Sequence, residues 1–237
     1  LVAGDTNNWQ DIFLRDVSGN TIVRIAGGNS TCYQPAISGD GRYVAFTSLA
    51  SNLVTGDNNG KLDAFLVDRN TSTTKRISVA SAGAQGNGPC YMPSVSDDGQ
   101  KVAFDSAATN LVAGDTNGKR DVFVHNLSDG TTARVSLTEG GAQSNGNSWH
   151  ASLTRAGNRV AFSSDATDLV GGDTNGVRDV FWRTLGQRAG ICRASDSLLS
   201  SAQSQPRSTA RRRRATRSGR ARSRSPRQTS ASPKNGE

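Results

Sequence analysis

Short apolar segments alternate with clusters of Gly, Asn, Asp and Ser along roughly the first 185 residues. After Leu53, residues 63–68 are apolar on both faces, residues 75–79 alternate apolar and polar side chains, and residues 92–96 and 101–106 are short and largely apolar. Runs of this length bounded by turn-forming residues are typical of β-strands. The pattern therefore predicts four short strands, with a tight turn between the last two.

The same four strands are predicted again in the next stretch, at residues 121–124, 133–137, 151–154 and 159–162. The phrase Leu-Val-x-Gly-Asp-x-Asn opens each copy, and its starts at Leu1, Leu53, Leu111 and Leu169 make units of 52, 58 and 58 residues. The shorter first unit lacks the Gly/Asn-rich stretch found at residues 81–88 and 140–146, as expected for a surface loop.

Two of the four strands in each unit are apolar on both faces, and a single short sheet cannot bury both faces by itself. Radial stacking of such sheets removes the problem and produces a β-propeller. A β-sandwich is the structural alternative, but it does not predict near-identical units. The sequence therefore predicts an all-β fold: a partial β-propeller of about three to four four-stranded antiparallel blades over residues 1–185.

The turn and last strand of each unit carry a recurring phrase. Residues 38–46 read Ser-Gly-Asp-Gly-Arg-Tyr-Val-Ala-Phe, and residues 96–104 read Ser-Asp-Asp-Gly-Gln-Lys-Val-Ala-Phe. The third copy, residues 154–162, lacks the Asp, and Ala151 stands where the earlier units have Pro35 and Pro93. The unit resembles the TolB-type, WD-like β-propeller repeat of bacterial proteins, although the Trp-Asp dipeptide of true WD repeats is absent.

The resemblance implies a ring of about six to eight blades, usually periplasmic or extracellular, that binds proteins or other polymers such as polysaccharides. In larger relatives such a ring also gates a hydrolase domain, which is the first alternative for this chain. Three units and the start of a fourth are too few to close a ring, so we expect an arc cut from something longer. Its exposed edge strands are expected to pair with another chain.

The most chemical-looking feature is Asp-x-Asn-x-x-x-Asp, once per unit. Asp and Asn oxygens in a short loop are ligands that calcium prefers, so calcium binding is one hypothesis. Against it, the loops lack an oxygen side chain at the fifth position and a Glu at the twelfth, and basic residues lie nearby. The alternative is an Asx turn in each blade, made for structural reasons. The candidate ligands are Asp5, Asn7, Asp11, Asp57, Asn59, Asp63, Asp115, Asn117, Asp121, Asp173, Asn175 and Asp179.

Catalytic motifs are absent from the sequence. It contains two histidines, His125 and His150, and neither belongs to a nucleophile elbow, a metalloprotease motif or a phosphate loop. Trp149 and His150 open a predicted innermost strand, where an aromatic ring either stacks on a sugar or peptide or simply packs a loop. The expected function is a non-catalytic binding scaffold with no cofactor other than the hypothetical calcium.

Cys32 and Cys90 occupy matching places in successive units. They are interpreted as small buried residues, with a bridge between them as the alternative. No apolar run reaches the length of a transmembrane helix.

The formal net charge of +8 is unevenly distributed. Residues 186–237 carry 12 Arg and 1 Lys against 2 acidic residues, or +11, which leaves −3 for residues 1–185. Such an Arg- and Ser-rich segment is predicted to be disordered. Two interpretations stay open: frame-shifted translation of a GC-rich gene, or a natural tail that binds nucleic acid through phosphate contacts without base specificity.

Overall fold

The structure, a computed structural model, describes residues 2–186 and 191–193. This part of the chain forms strands and no helix, which confirms the all-β prediction. One two-stranded sheet, here called the half-blade, contains β1 (Ile12–Asp16) and β2 (Thr21–Ala26). Three four-stranded antiparallel sheets, here called blades 1 to 3, follow it in the chain.

Each blade is built from four consecutive strands, paired in chain order. Blade 1 contains β3 (Cys32–Ile37), β4 (Tyr43–Ser48), β5 (Asp63–Asp68) and β6 (Thr73–Arg76). Blade 2 contains β7 (Cys90–Val95), β8 (Lys101–Ser106), β9 (Asp121–Asn126) and β10 (Thr131–Arg134). Blade 3 contains β11 (Ser148–Leu153), β12 (Arg159–Ser164), β13 (Asp179–Thr184) and β14 (Ile191–Arg193).

The blades do not coincide with the sequence units. The Leu-Val-x-Gly-Asp-x-Asn phrase that opens a unit lies inside a blade, in the loop between its second and third strands. A blade therefore takes two strands from one unit and two from the next. This corrects the expectation that the four strands of a unit, counted from Leu1, Leu53, Leu111 or Leu169, form one blade. A repeat fixes a period but not its starting point, because the strands that pair are decided by tertiary contacts.

Neighbouring sheets bury each other. Blades 1 and 2 share one apolar core, blades 2 and 3 share a second, and the half-blade and blade 1 share a third. The Val and Phe side chains of the second strands are buried in every blade: Val44, Phe46, Val102, Phe104, Val160 and Phe162. The stacking of short two-sided sheets, on which the propeller prediction depends, is confirmed.

The innermost strand of each blade is interrupted by a β-bulge. In β7 the pairing with β8 shifts between Tyr91 and Ser94, and Met92 has a positive φ of 47°. The sequence predicts a strand over residues 92–96 with Pro93 at its start, but the strand begins at Cys90, which places Pro93 inside it. The bulge explains how proline is accommodated inside the strand, since proline is tolerated where a strand bulges.

Cys32 and Cys90 are both free and buried, which confirms the interpretation as small core residues and excludes a bridge between them. Burial raises the pKa of the Cys90 thiol to about 12. Nowhere in the described ranges is there a helix of the length and apolarity needed to cross a bilayer. The basic tail was predicted over residues 186–237, but β14 (Ile191–Arg193) lies within that range as the fourth strand of blade 3. Residues 187–190 and 194–237 of the predicted tail lie outside the described residues.

Candidate functional site

The Asp-x-Asn loops lead into the third strand of each blade and into β1 of the half-blade, and each loop is closed by its own asparagine. In the second loop, the Asn59 side-chain oxygen accepts the backbone N–H of Lys61 at 2.9 Å, which is an Asx turn. Its amide nitrogen donates to Asp63 at 2.8 Å and to the Gly86 carbonyl at 3.1 Å. Asn7, Asn117 and Asn175 make the equivalent Asx turn and donate to Asp11, Asp121 and Asp179.

In three of the loops an arginine lies between the two aspartates, and it comes from the fourth strand of blades 1 and 2 or from β2 of the half-blade. Arg134 is 3.2 Å from Asp115 and 3.0 Å from Asp121. Arg76 is likewise 2.9 Å from Asp57 and 3.7 Å from Asp63, and Arg24 is 4.0 Å from Asp5 and 2.7 Å from Asp11. In these three loops, therefore, the aspartate carboxylates are paired with the guanidinium group of an arginine.

Burial raises the pKa of Asp63 and Asp115. Hydrogen bonds act in the opposite direction at Asp63, where the Ser78 hydroxyl donates at 2.5 Å. Among the described residues, no group of three or more His, Cys, Asp or Glu side chains is arranged to hold a metal ion. Calcium binding at these loops stays a prediction, and an ion there would have to displace a buried guanidinium.

A second feature lies on the face of the blades that carries the loops between the second and third strands, here called the long-loop face. The second residue of each innermost strand is aromatic: Tyr33 in β3, Tyr91 in β7 and Trp149 in β11. We call these three residues the aromatic row. Tyr33 is 39% exposed, and the other two are half-buried.

The bulges of the innermost strands begin at the aromatic row. The residue after each aromatic has a positive φ: 52° at Gln34, 47° at Met92 and 57° at His150. Such values are uncommon outside glycine, and bulges re-aim side chains at the ends of strands. The same distortion in three successive blades is a repeated feature of this face.

Two of the three rings are each covered by an arginine. The Arg120 guanidinium lies 3.9 Å from the Tyr91 ring centroid and pairs with the buried Asp105. Arg178 lies 4.0 Å from the Trp149 centroid and is 2.8 Å from Asp165.

Blade 1 differs, because Leu62 occupies the place that Arg120 and Arg178 have in the next two units. Within the described part of the chain, no guanidinium lies over Tyr33. Its ring instead borders a cavity of about 590 Å³. The cavity is lined by Tyr33, Gln34, Leu49, Gly60, Lys61, Leu62, Pro89 and Tyr91.

The walls of this cavity are tied together by Gln34. Its side-chain oxygen accepts the Met92 backbone N–H at 2.9 Å and the Thr47 hydroxyl at 3.2 Å. The link between β3 and β7 holds the Tyr33 and Tyr91 ends of the two blades at a defined separation. Two aromatic rings, two leucines and one lysine can hold an apolar or ring-bearing group and attract a negative charge beside it.

One contact resembles a catalytic pair. The Ser163 hydroxyl lies 3.3 Å from His150 Nδ1 on the exposed surface. This distance is slightly beyond the usual range for a nucleophile and its base, and in the described residues no carboxylate is hydrogen-bonded to the imidazole ring. The pair therefore lacks the orienting group that a serine nucleophile requires.

Sequence reasoning singled out Trp149 and His150 but missed Tyr33, Tyr91 and Leu62. A signal for the tyrosines was present, since Tyr33, Tyr91 and Trp149 are separated by the 58-residue period. The sequence did not predict that the Tyr33 ring is free of an arginine. That feature depends on which loop side chain packs against which aromatic ring, and only the structure shows this contact.

No family model and no curated protein matches the chain. Solved structures do. Against TolB from Acinetobacter baumannii the TM-score is 0.45 at 19% identity, covering 77% of this chain and 37% of that one. Against TolB from Agrobacterium tumefaciens it is 0.51 at 15% identity, covering 77% and 55%. Against an oligogalacturonate lyase in complex with manganese it is 0.49 at 14% identity, covering 78% and 47%.

The chain thus spans 37% and 55% of the lengths of the two TolB proteins. At these identities the likeness concerns the fold and not the activity. The fourteen strands of the described residues, their pairing in chain order and the mutual burial of neighbouring sheets agree with it. The chain has a TolB-like β-propeller fold.

Proposed function

We propose that this chain is a non-catalytic β-propeller module that binds a protein or polysaccharide through the aromatic row of its long-loop face. The observation that carries the proposal is the recurrence of an aromatic side chain, followed by a strained residue, at the same place in three blades. Repetition across blades suits an extended polymer, because successive segments of such a partner can contact successive blades.

The cavity beside Tyr33 is the centre of the proposed site. Aromatic residues contribute much of the binding energy once a partner covers them, and Tyr33 offers a ring that no arginine covers in the described structure. Lys61 adds a positive charge at the rim, so a partner with a carboxylate or another anionic group is favoured. Covered by Arg120 and Arg178, the other two rings are expected to contribute less.

The TolB-like fold supports an exported protein, and we include a periplasmic or extracellular location in the proposal. Fractionation of cells that express the full-length gene checks it. Recovery of the protein only with the cytoplasm contradicts the location without affecting the binding site.

The binding proposal is tested by replacing Leu62 with the residue found in the other blades. Leu62→Arg should place a guanidinium over Tyr33, and Tyr33→Ala removes the ring. Both variants are screened with the wild type against immobilised polysaccharides and a peptide library. Probes that bind the wild type should lose at least about tenfold in affinity with either variant, which corresponds to about 1.4 kcal/mol.

Tyr33→Phe is the matched control, since it keeps the ring, and it should retain most of the affinity. Affinity that is unchanged in Leu62→Arg and Tyr33→Ala places the binding surface elsewhere. Failure of every probe to bind the folded wild-type chain contradicts the proposed function.

A further inference from the structure

A cavity lies between blades 2 and 3, both of which are four-stranded. It has a volume of about 630 Å³, within the range of about 300–1,000 Å³ that is usual for small-molecule sites. Its apolar walls are Val124, Ala133, Val135, Leu137 and Leu185. Positive charge comes from Lys101, Arg134 and Arg183, and no acidic side chain of the described residues lines the cavity. Since Arg134 is already paired with two aspartates of its loop, Lys101 and Arg183 remain to attract an anion.

Arg183 is a buried charge without an acidic partner among the described residues. It is 8% exposed, and its Nη2 donates to the carbonyls of Leu137 at 2.5 Å and Thr138 at 3.3 Å. Neither Nε nor Nη1 has a hydrogen-bond partner in the described part of the chain. Burial lowers the pKa of the Arg183 guanidinium. A buried cation is strongly unfavourable unless an anion pairs with it, so this side chain is prepared for one.

The equivalent recess between blades 1 and 2 is smaller, with a volume of about 230 Å³. The Tyr43 ring packs into it so closely that a Cβ added at Gly99 would lie 2.5 Å from the ring. Lys75 also lines this recess. One period later, Lys101 stands in place of Tyr43 and Ala133 in place of Lys75. The loss of a ring and of a long side chain widens the recess between blades 2 and 3.

The charges of the two recesses differ as well. The smaller one contains an acid, Asp68, whose carboxylate lies 2.7 Å from the Arg42 guanidinium. The neutral Asn126 replaces Asp68 one period later, and Arg183 stands where the preceding unit has His125. From one blade boundary to the next, the repeat therefore loses a carboxylate and gains a buried guanidinium.

We propose that the cavity between blades 2 and 3 binds a small amphiphilic carboxylate, with the carboxylate on Arg183 Nη1 and the apolar body against the aliphatic walls. A guanidinium–carboxylate hydrogen bond is charge-assisted and stronger than a neutral one. Burial of the apolar body adds affinity in proportion to the area removed from water. No residue of the aromatic row lines this cavity, so the proposal does not depend on the proposed function.

The test uses the full chain and octanoate as the probe, at about pH 8. Isothermal titration calorimetry should show saturable binding of one equivalent, with a Kd below about 1 mM. Acetate keeps the charge and 1-octanol keeps the chain, and each should bind at least about tenfold more weakly than octanoate. Hydrogen exchange should slow in residues 133–141, which border the cavity, when octanoate is bound.

Two protein variants locate the site by restoring residues of the preceding unit. Arg183→His removes the permanent charge, and Lys101→Tyr removes a charge and fills the cavity with a ring. Each should lower the affinity for octanoate at least about tenfold. Arg155→His is the matched control, because the Arg155 side chain is 81% exposed and lies outside the cavity. It should bind octanoate as the wild type does, and circular dichroism checks that all three variants are folded.

The same chemistry occurs at the carboxyl end of a peptide whose last side chain is apolar. N-acetyl-alanyl-leucine, titrated in competition with octanoate, distinguishes the two sources. Tighter binding of the dipeptide identifies a peptide end as the ligand, and tighter binding of octanoate identifies a free carboxylic acid. Both results support a carboxylate site in this cavity.

Three outcomes overturn the proposal. The first is the absence of saturable octanoate binding to the folded wild-type chain up to about 1 mM. The second is equal affinity for 1-octanol, which would show that the guanidinium is not used. The third is an affinity for octanoate that neither Arg183→His nor Lys101→Tyr changes, which would place the ligand elsewhere.

Discussion

Single polar side chains tie neighbouring blades together, and the residue type changes from blade to blade. Val67, His125 and Arg183 occupy the same place in successive units. The Arg183 guanidinium donates to the Leu137 carbonyl at 2.5 Å, across the boundary between blades 2 and 3. The same position of the repeat therefore makes an apolar contact in one unit, a neutral hydrogen bond in the next and a hydrogen bond from a buried charge in the third.

At His125 the tie between blades runs through Thr132. The Thr132 hydroxyl donates to the Val79 carbonyl at 2.5 Å and lies 2.9 Å from His125 Nδ1. Since the hydroxyl proton is used by the carbonyl, we infer that Nδ1 carries the hydrogen of this second bond. Burial lowers the pKa of His125; among the smaller effects, the charge of Asp129 raises this pKa and the charge of Lys75 lowers it further.

We predict a loss of stability on acidification that depends on His125. Its pKa in the folded state lies below the ordinary value of 6.5, so the unfolded chain takes up the proton first. The free energy of unfolding should therefore fall as the pH drops below about 6.5, by at most about 1.4 kcal/mol per pH unit. Urea denaturation at several pH values between about 7.5 and 5.5 measures the slope.

His125→Val is the matched control, because blade 1 has Val67 in this place. The variant should show a flatter dependence on pH. Effects of the buried aspartates, whose raised pKa acts in the opposite direction, are common to both proteins and cancel in the comparison. An identical slope in the wild type and the variant would show that His125 is not responsible.

At the scale of the element, the Asp-x-Asn loop and the arginine opposite it form one unit. Arg134 and its two aspartates are almost fully buried, and removing one member of a buried ion pair leaves the other charge unpaired. Arg134→Met should therefore lower the free energy of unfolding by about 3–5 kcal/mol. Arg155→Met, which breaks an exposed pair with Asp97, should change it by less than about 0.5 kcal/mol.

The same loops decide the calcium hypothesis. With a guanidinium between the carboxylates, millimolar calcium should leave the melting temperature of the wild-type chain unchanged. Calorimetry with and without calcium measures this. A rise in melting temperature that Asp115→Ala with Asp121→Ala abolishes would establish an ion site in place of the arginine-filled loop.

Much of each element was predictable from the sequence. The apolar runs located strands such as 63–68 and 101–106, which the structure gives as Asp63–Asp68 and Lys101–Ser106. The bulges were not predictable, because Met92 and Gln34 are not residues that favour a positive φ. Gln34 and Met92 adopt a positive φ because the innermost strand must both pair with its neighbour and contact the next blade. The hydrogen bond from the Met92 backbone N–H to the Gln34 side-chain oxygen is such a contact between blades.

At the scale of the whole molecule, each core belongs to two sheets, so a defect in one sheet should weaken its neighbour. Phe104 is fully buried in the core between blades 1 and 2. Phe104→Ala should cost about 3–5 kcal/mol. The loss should lower a single transition seen both by far-ultraviolet circular dichroism and by tryptophan fluorescence, which reports on Trp149 and Trp182 of blade 3 together with Trp9.

Val177→Ala is the control for this prediction, because its side chain is 60% exposed and lies outside the cores. Its effect should stay within about 0.5 kcal/mol. If Phe104→Ala leaves the fluorescence transition in place while the circular dichroism transition moves, the blades unfold independently and the shared cores do not couple them.

The sequence by itself determined the period, the strands and the all-β class of this protein, because alternation and turn-forming residues are local properties. It also showed an aromatic residue once per 58 residues, although only Trp149 was recognised as a candidate for binding. Only the tertiary structure decided which strands share a sheet, that arginines face the Asp-x-Asn loops, and that Leu62 leaves Tyr33 uncovered. These features depend on contacts between residues that are far apart in the chain. The order of residues in a sequence does not show which distant residues come into contact.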